Sequence, residues 1–235
     1  MIPKVIHYCW FGRNKLPKSA IKCINSWRKF LPDYEIKEWN EDNFDINITQ
    51  YTIDAYEAKK YAFVSDYARI WILYHFGGIY FDTDVELIRP LNTILNNGPF
   101  MACEINGGHN THIAVNPGVG LAAVPKNDIY AQILGIYHNL NFWTDEHKIN
   151  LYAIVKITTD VLSRNGLKNS SCIQRVGDIS IYPAEYFNPI NSLTGRCNLT
   201  ENTVSIHYYS NSWSSTLSKF KNFVGKIIRR LITKR

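Results

Sequence analysis

Residues 73–85 read Leu73-Tyr74-His75-Phe76-Gly77-Gly78-Ile79-Tyr80-Phe81-Asp82-Thr83-Asp84-Val85, and this run decides the fold. The Ala- and Tyr-rich stretch from 53 to 75 predicts one long helix, and Gly77-Gly78 stands where a helix is capped and stopped. The apolar triplet Ile79-Tyr80-Phe81 then predicts a short buried strand that runs straight into two carboxylates. In open α/β sheets ligands bind beyond the carboxyl ends of strands, so Asp82 and Asp84 stand where a site is expected. Period-two geometry would put both side chains on one side. Two hard oxygen ligands suit Mg²⁺ or Mn²⁺, which commonly complete their shell with substrate phosphates. A solvated Asp-rich turn has the same spacing, so the pair alone leaves both readings open.

Upstream, residues 5–11 form an apolar run closed by Gly12, which predicts a buried first strand. A helix over 17–30 is introduced by Pro17, with Ile21, Ile24, Trp27 and Phe30 as its apolar face. Residues 34–39 alternate apolar and charged, as a half-buried strand would. Strand, helix, strand at this length predicts an α/β unit with a parallel sheet. Asp66 and Arg69, at i and i+3 on the long helix, can pair on one face. Downstream, the Gly-, Pro- and Asn-dense stretch 99–125 predicts long loops. Helices are expected over 129–140 and 152–162, and strands at 179–183 and 203–209. With no internal repeat and no low-complexity linker, the expected organisation is a domain over 1–215 and a distinct tail over 216–235.

Of the 235 residues 46% are hydrophobic and 14% aromatic, which supports a sizeable core and excludes a disordered or fibrous chain. The five cysteines stand at long, irregular spacings without a CxxC pair, which points to free thiols and a reducing, cytoplasmic setting. The N-terminus lacks the basic and apolar segments of a signal peptide. The longest apolar region, 67–80, is broken by Arg69, His75, Gly77 and Gly78 and falls short of a membrane span. A net charge of +6 and a pI near 9.0 suggest nucleic acid, a membrane surface or an anionic substrate. Residues 217–235 carry seven basic side chains and no acid, leaving the other 216 residues at −1. Leu217, Phe220, Phe223, Val224, Ile227, Ile228 and Leu231 would form an apolar stripe on a helix. Such a tail suits an anionic membrane surface, although a terminal helix packed on the domain has the same pattern. No recognised nucleic-acid motif accompanies the charge, so no nucleic-acid partner is expected.

Around the Asp pair the sequence adds Ser65-Asp66-Tyr67-Ala68-Arg69, and Ile2-Pro3-Lys4-Val5-Ile6-His7-Tyr8-Cys9-Trp10-Phe11-Gly12 opens the chain. Ser26-Trp27, Pro32-Asp33-Tyr34-Glu35 and Trp39-Asn40 follow, and His207-Tyr208-Tyr209-Ser210-Asn211-Ser212-Trp213 comes late. Together these resemble glycosyltransferase family 32, which includes capsular and lipopolysaccharide transferases and yeast initiating mannosyltransferases. More distantly they are similar to the glucosyltransferase domain of large clostridial toxins. The likeness runs from residue 2 to about 213.

That resemblance implies a GT-A fold, a Rossmann-like α/β sheet that is mixed and mainly parallel. It implies retaining, metal-dependent transfer of a hexose from a UDP- or GDP-sugar to a glycan acceptor, lipid-linked where surface polysaccharide is built on the inner membrane face. Asp84 would ligate Mn²⁺ or Mg²⁺ directly, Asp82 would serve the metal shell or the donor, and His207 would complete the shell. Trp10 would stack on the base. Ser65, Asp66 and Arg69 would meet sugar hydroxyls, Tyr80 would line the donor pocket, and Ser212 and Trp213 would reach the diphosphate. The mid-chain motif of many members is replaced by Thr158-Thr159-Asp160. No nucleophile stands out. Glu104, Asn116 and Asp160 are the polar candidates, and front-face substitution without a protein nucleophile is the favoured expectation. A metal-dependent phosphohydrolase acting on nucleotide sugars and a basic nucleic-acid-binding protein are the alternatives.

Overall fold

The computed structural model describes residues 1–191 and 195–209, so Ser212, Trp213 and the tail expected over 216–235 lie outside the described residues. The first unit is β1 (Val5–Cys9), α1 (Lys18–Phe30) and β2 (Glu35–Trp39). Next come a short 3-10 turn, α2 (Gln50–Glu57), α3 (Tyr61–Phe76), β3 (Gly78–Tyr80), β4 (Val85–Leu87) and α4 (Asn92–Asn96). The central strands β5 (Phe100–Ile105), β6 (Ala114–Val115) and β7 (Leu121–Ala123) precede α5 (Asp128–His138) and α6 (Ile154–Arg164). The chain continues through β8 (Gln174–Val176), β9 (Ile179–Tyr182), α7 (Ala184–Phe187) and β10 (Ser205–His207). No helix among the described residues is long and apolar enough to cross a membrane.

The main sheet runs β2-β1-β3-β7-β5-β9-β8, with β6 on β5. It is parallel along β2-β1-β3 and between β5 and β9, and antiparallel where β7 joins β3 to β5. Two apolar cores cover its faces. Along β3 the side chains alternate between them, with Ile79 and Phe81 in the α1 core and Tyr80 in the core under α2, α3, α5 and α6. The strands β5 and β7 alternate likewise: Phe100 and Ala102 face one core, Met101 and Cys103 the other, and Leu121, Ala122 and Ala123 take turns.

This two-sided burial explains a correction. The stretch 99–125, expected to be loops, holds β5, β6 and β7. A strand covered on both faces has no polar alternation to show, and its Gly and Pro residues sit between very short strands. The helix expected over 53–75 is two helices. The chain breaks at Ala58–Lys60, where Lys59 takes φ 57 and Lys60 N donates to the Ala55 carbonyl, without a glycine to signal the break. In α1 the buried face is Ala20, Cys23, Ile24 and Trp27, whereas Ile21 is exposed.

His7 links three elements. Trp39 Nε1 donates to His7 Nδ1 at 3.0 Å, so the ring proton sits on Nε2, which donates to the Gly77 carbonyl at 3.0 Å. Both nitrogens are satisfied in the neutral ring, and burial, opposed by the Gly77 bond, lowers the pKa to about 4. Between that value and the unfolded 6.5, the unfolded chain binds the extra proton. Stability is therefore expected to fall by about 3 kcal/mol as pH drops through this window, and to stop falling on this account below it. Urea unfolding of wild type and His7→Gln from pH 4 to 7 checks this, and an identical pH slope in the variant would refute it.

Candidate active site

Asp82 and Asp84 lie just past β3, in the turn that joins it to β4 and is closed by Val85 N donating to the Asp82 carbonyl at 3.0 Å. The expected extended geometry is absent here, yet the two carboxylates still converge. What brings them together is the neighbouring ribbon. The antiparallel pairing of β10 with β4 sets His207 opposite Val85, and Tyr208 N donates to the Asp84 carbonyl at 3.0 Å. His207 Nε2 consequently stands 3.2 Å from Asp84 Oδ1. Ligand atoms of Asp82, Asp84 and His207 lie within 4.8 Å of one another.

Behind this cluster stands Arg69 of α3, nearly fully buried. Its guanidinium reaches Asp82 Oδ2 through Nη1 at 3.2 Å and Asp82 Oδ1 through Nη2 at 3.1 Å. Nη2 is also 3.0 Å from Asp66 Oδ1, and Nε donates to the Ser65 carbonyl at 3.1 Å. The i,i+3 pair expected from spacing is present, and it extends to a third charge thirteen residues away. Tyr80 donates its hydroxyl to Asp82 Oδ1 at 3.1 Å, and the Arg69 guanidinium sits 5.0 Å from the centre of its ring. Burial pushes the Asp66 carboxyl up to about 7 with Arg69 pulling the other way, and raises Asp82 against the same pull. Burial pushes His207 down, but the surrounding carboxylates, Asp84 foremost with Asp82 and Glu104, outweigh it and the net shift is upward. His207 Nδ1 is buried without a partner among the described residues.

On the β7 side, Gly118 closes the site. Its carbonyl accepts from Asp82 N at 3.1 Å, and a Cβ there would collide with Asp82 Oδ2 and Arg69 Nη1. Asn116 holds this loop, accepting from Gly118 N at 2.7 Å and donating to Glu104 Oε2 at 3.0 Å.

A cleft of about 670 Å³ opens over these groups, within the range of small-molecule sites. Trp10, Ser65, Asp66, Arg69, Asp82, Asp84 and His207 line it, as do Glu104 and Asn116. Trp10 stands just beyond β1, tied by its indole to the Asn14 carbonyl at 2.6 Å. The Ser65 hydroxyl turns back to the Tyr61 carbonyl at 3.1 Å. Tyr80 does not line the cleft. It is buried behind Asp82 and orients that carboxylate. Asp160 does not reach the cleft either: it accepts from the Tyr152 hydroxyl at 3.0 Å and faces an adjoining cavity. Ser212 and Trp213 lie outside the described residues. Sequence reasoning passed over Gly118, Lys15 and Tyr209, the last two on the cleft wall. Of these, only the Gly118-Val119-Gly120 run carries a signal in the sequence, that of a loop.

Residues 17–101 match the family described as glycosyltransferase sugar-binding region containing DXD motif. Inositol phosphoceramide mannosyltransferase 1 of Schizosaccharomyces pombe is 29% identical over 129 residues, 49% of this chain and 39% of that protein. The chain thus spans well under half the length of that relative. An uncharacterised glycosyltransferase of Acanthamoeba polyphaga mimivirus is 26% identical over 232 residues, 95% of this chain and 88% of the other. Among solved structures, PaToxG glycosyltransferase superposes with a TM-score of 0.53 at 18% identity, covering 69% of each chain. The fold is the mixed α/β sheet of GT-A type, flanked by helices.

Proposed function

We propose that this chain, which carries the DXD-containing sugar-binding region of glycosyltransferases, moves a hexose from a UDP- or GDP-sugar to a glycan acceptor with retention of configuration. The observation that supports this most is the convergence of Asp82, Asp84 and His207 in the cleft, with the Asp66–Arg69 pair beside them. Two carboxylates and an imidazole whose Nδ1 is buried without a partner among the described residues suit a divalent ion, Mn²⁺ or Mg²⁺. Asp82, Asp84 and His207 would hold such an ion, which would supply Lewis-acid neutralisation of charge on the departing diphosphate.

The protein's own residues divide the remaining work. Trp10, on the cleft wall, stacks on the base. Arg69 bridges Asp66 and Asp82 and is anchored on the Ser65 carbonyl, so it positions both carboxylates, and Asp66 accepts from donor hydroxyls. In the transfer the bond from the anomeric carbon to the diphosphate oxygen breaks and the electron pair leaves with the nucleotide. The bond to the acceptor oxygen forms on the same face, and the acceptor's proton passes to the departing phosphate. Glu104, held by Asn116, faces this reaction as a carboxylate that offsets developing positive charge.

A panel of UDP- and GDP-sugars incubated with Mn²⁺ or Mg²⁺ tests the reading. One donor is expected to release its nucleotide diphosphate, faster with an acceptor glycan present, and chelation is expected to abolish release. Release that no glycan stimulates would favour a nucleotide-sugar phosphohydrolase instead.

The acceptor we infer is presented at a membrane, as in capsular or lipopolysaccharide synthesis on the inner face of the cell membrane. The mannosyltransferase relative is named for inositol phosphoceramide, likewise a lipid. The seven basic residues of 217–235 support peripheral attachment at about 1 kcal/mol each before screening. The charge belongs to that segment, so no nucleic-acid partner is proposed. Co-sedimentation with anionic liposomes is expected for the whole chain and lost on deleting 217–235; equal binding by both would refute attachment through this segment.

A further inference from the structure

A second cavity of about 680 Å³ adjoins the cleft and has no role in the chemistry above. The two share a wall. Ala153 and Val155 line both, Ala114 of β6 lines the second cavity, and Asn116, just past β6, lines the cleft. The wall is pinned by Thr159, whose hydroxyl accepts from Val115 N at 3.0 Å and donates to the Val155 carbonyl at 2.7 Å.

The chemistry of the second cavity differs from that of the cleft. Lys156, Asp160 and Ser163 supply a cation, an anion and a hydroxyl, whereas Ile113, Leu151 and Leu167 supply apolar surface. Lys156 and Asp160 cancel in charge, which disfavours a phosphate and suits a neutral ligand. Mixed hydrogen-bonding and apolar walls fit a sugar, which has hydroxyls at its edge and C–H groups on its faces. Leu151 is 83% exposed at the rim, so the cavity opens to solvent and can admit an extended chain.

We infer that this cavity seats the neutral glycan acceptor and directs its reacting hydroxyl past Ala153 and Val155, where the two cavities adjoin, into the cleft. The inference rests on the glycosyltransferase reading, and Asp160 becomes a contact for acceptor hydroxyls.

Methyl-labelled protein separates the two claims. Ile113, Leu151 and Leu167 report on the second cavity and Ile154 on the cleft. Methyl glycosides of glucose, galactose, mannose and N-acetylglucosamine are titrated in turn, and UDP or GDP with Mg²⁺ separately. At least one glycoside is expected to shift Ile113, Leu151 and Leu167 saturably, and the nucleotide to shift Ile154 without Leu167. Ser163→Trp, which fills the cavity, is expected to abolish the glycoside shifts and keep the nucleotide shift. Should Ser163→Trp not fold, Lys156→Ala is expected to weaken the glycoside by about tenfold. Glycosides that shift Ile154 alone, or none of the four methyl groups, overturn the acceptor site. Nucleotides that leave Ile154 unmoved overturn the glycosyltransferase reading, whatever the glycosides do.

Discussion

Asp84→Ala is expected to lower glycosyl transfer at saturating donor by about a thousandfold, because Lewis-acid stabilisation of a leaving diphosphate is worth several kcal/mol and each 1.36 kcal/mol is a factor of ten. The fold should hardly notice. Asp84 pairs with His207, and both side chains are largely buried, at 16% and 8% exposure. With the carboxylate gone, His207 loses the strongest of the carboxylates that raise its pKa, and burial, the largest influence on the ring, then favours the neutral form. No buried charge is stranded, and the repulsion Asp84 exerts on Asp82 is removed as well. The expected change in stability is within about 1 kcal/mol, a few degrees in Tm for a chain of this size. Steady-state kinetics over a metal titration, with a melting curve on the same preparation, checks both halves. Wild-type transfer by Asp84→Ala would sink the assignment of the site.

How much of this was legible beforehand depended on whether a residue's role was written locally. The Asp82–Asp84 pair stands out because it follows an apolar triplet that two glycines set off from the preceding helix. Asp66 and Arg69 showed their pairing because one helical turn separates them. The third partner, Asp82, did not show, since α3 folding back on β3 is a tertiary event that no spacing encodes. His207 differs: a strand is legible around it and the family resemblance assigns it to the metal shell, but the contact with Asp84 depends on β10 pairing with β4, which no local spacing encodes. The stretch around Asn116-Pro117-Gly118 misled in an instructive way. Its glycines and proline read as loop, which Gly118 is, but the loop sits between sheet strands and its glycine is what lets the backbone close on Asp82.

Arg69→Leu is expected to give the opposite signature to Asp84→Ala, losing stability and activity together. Arg69 is 5% exposed in its side chain and is the cation against Asp66, 14% exposed, and Asp82, 28% exposed. Breaking a buried pair from the cationic side leaves carboxylates without compensation and costs about 3–5 kcal/mol. The deficit should depend on pH in a stated direction. In wild type Asp66 titrates near 7, far above its unfolded value of 3.8, because burial outweighs Arg69. Without Arg69 its folded pKa rises further while the unfolded value stays the same. Below about pH 7 Asp66 is protonated in both folded proteins and adds nothing to their difference. Above it, wild type carries the charge beside Arg69 and the variant resists ionising, so the deficit grows as pH rises. Urea unfolding at pH 6 and pH 8.5 measures this, and a deficit larger at pH 6 would contradict it. Adding Asp66→Asn and Asp82→Asn to Arg69→Leu removes the stranded charges and should restore most of the stability. It should not restore transfer, since the two carboxylates that Arg69 holds are then gone. Recovery of activity in that triple variant would mean that the Arg69 network serves the fold alone.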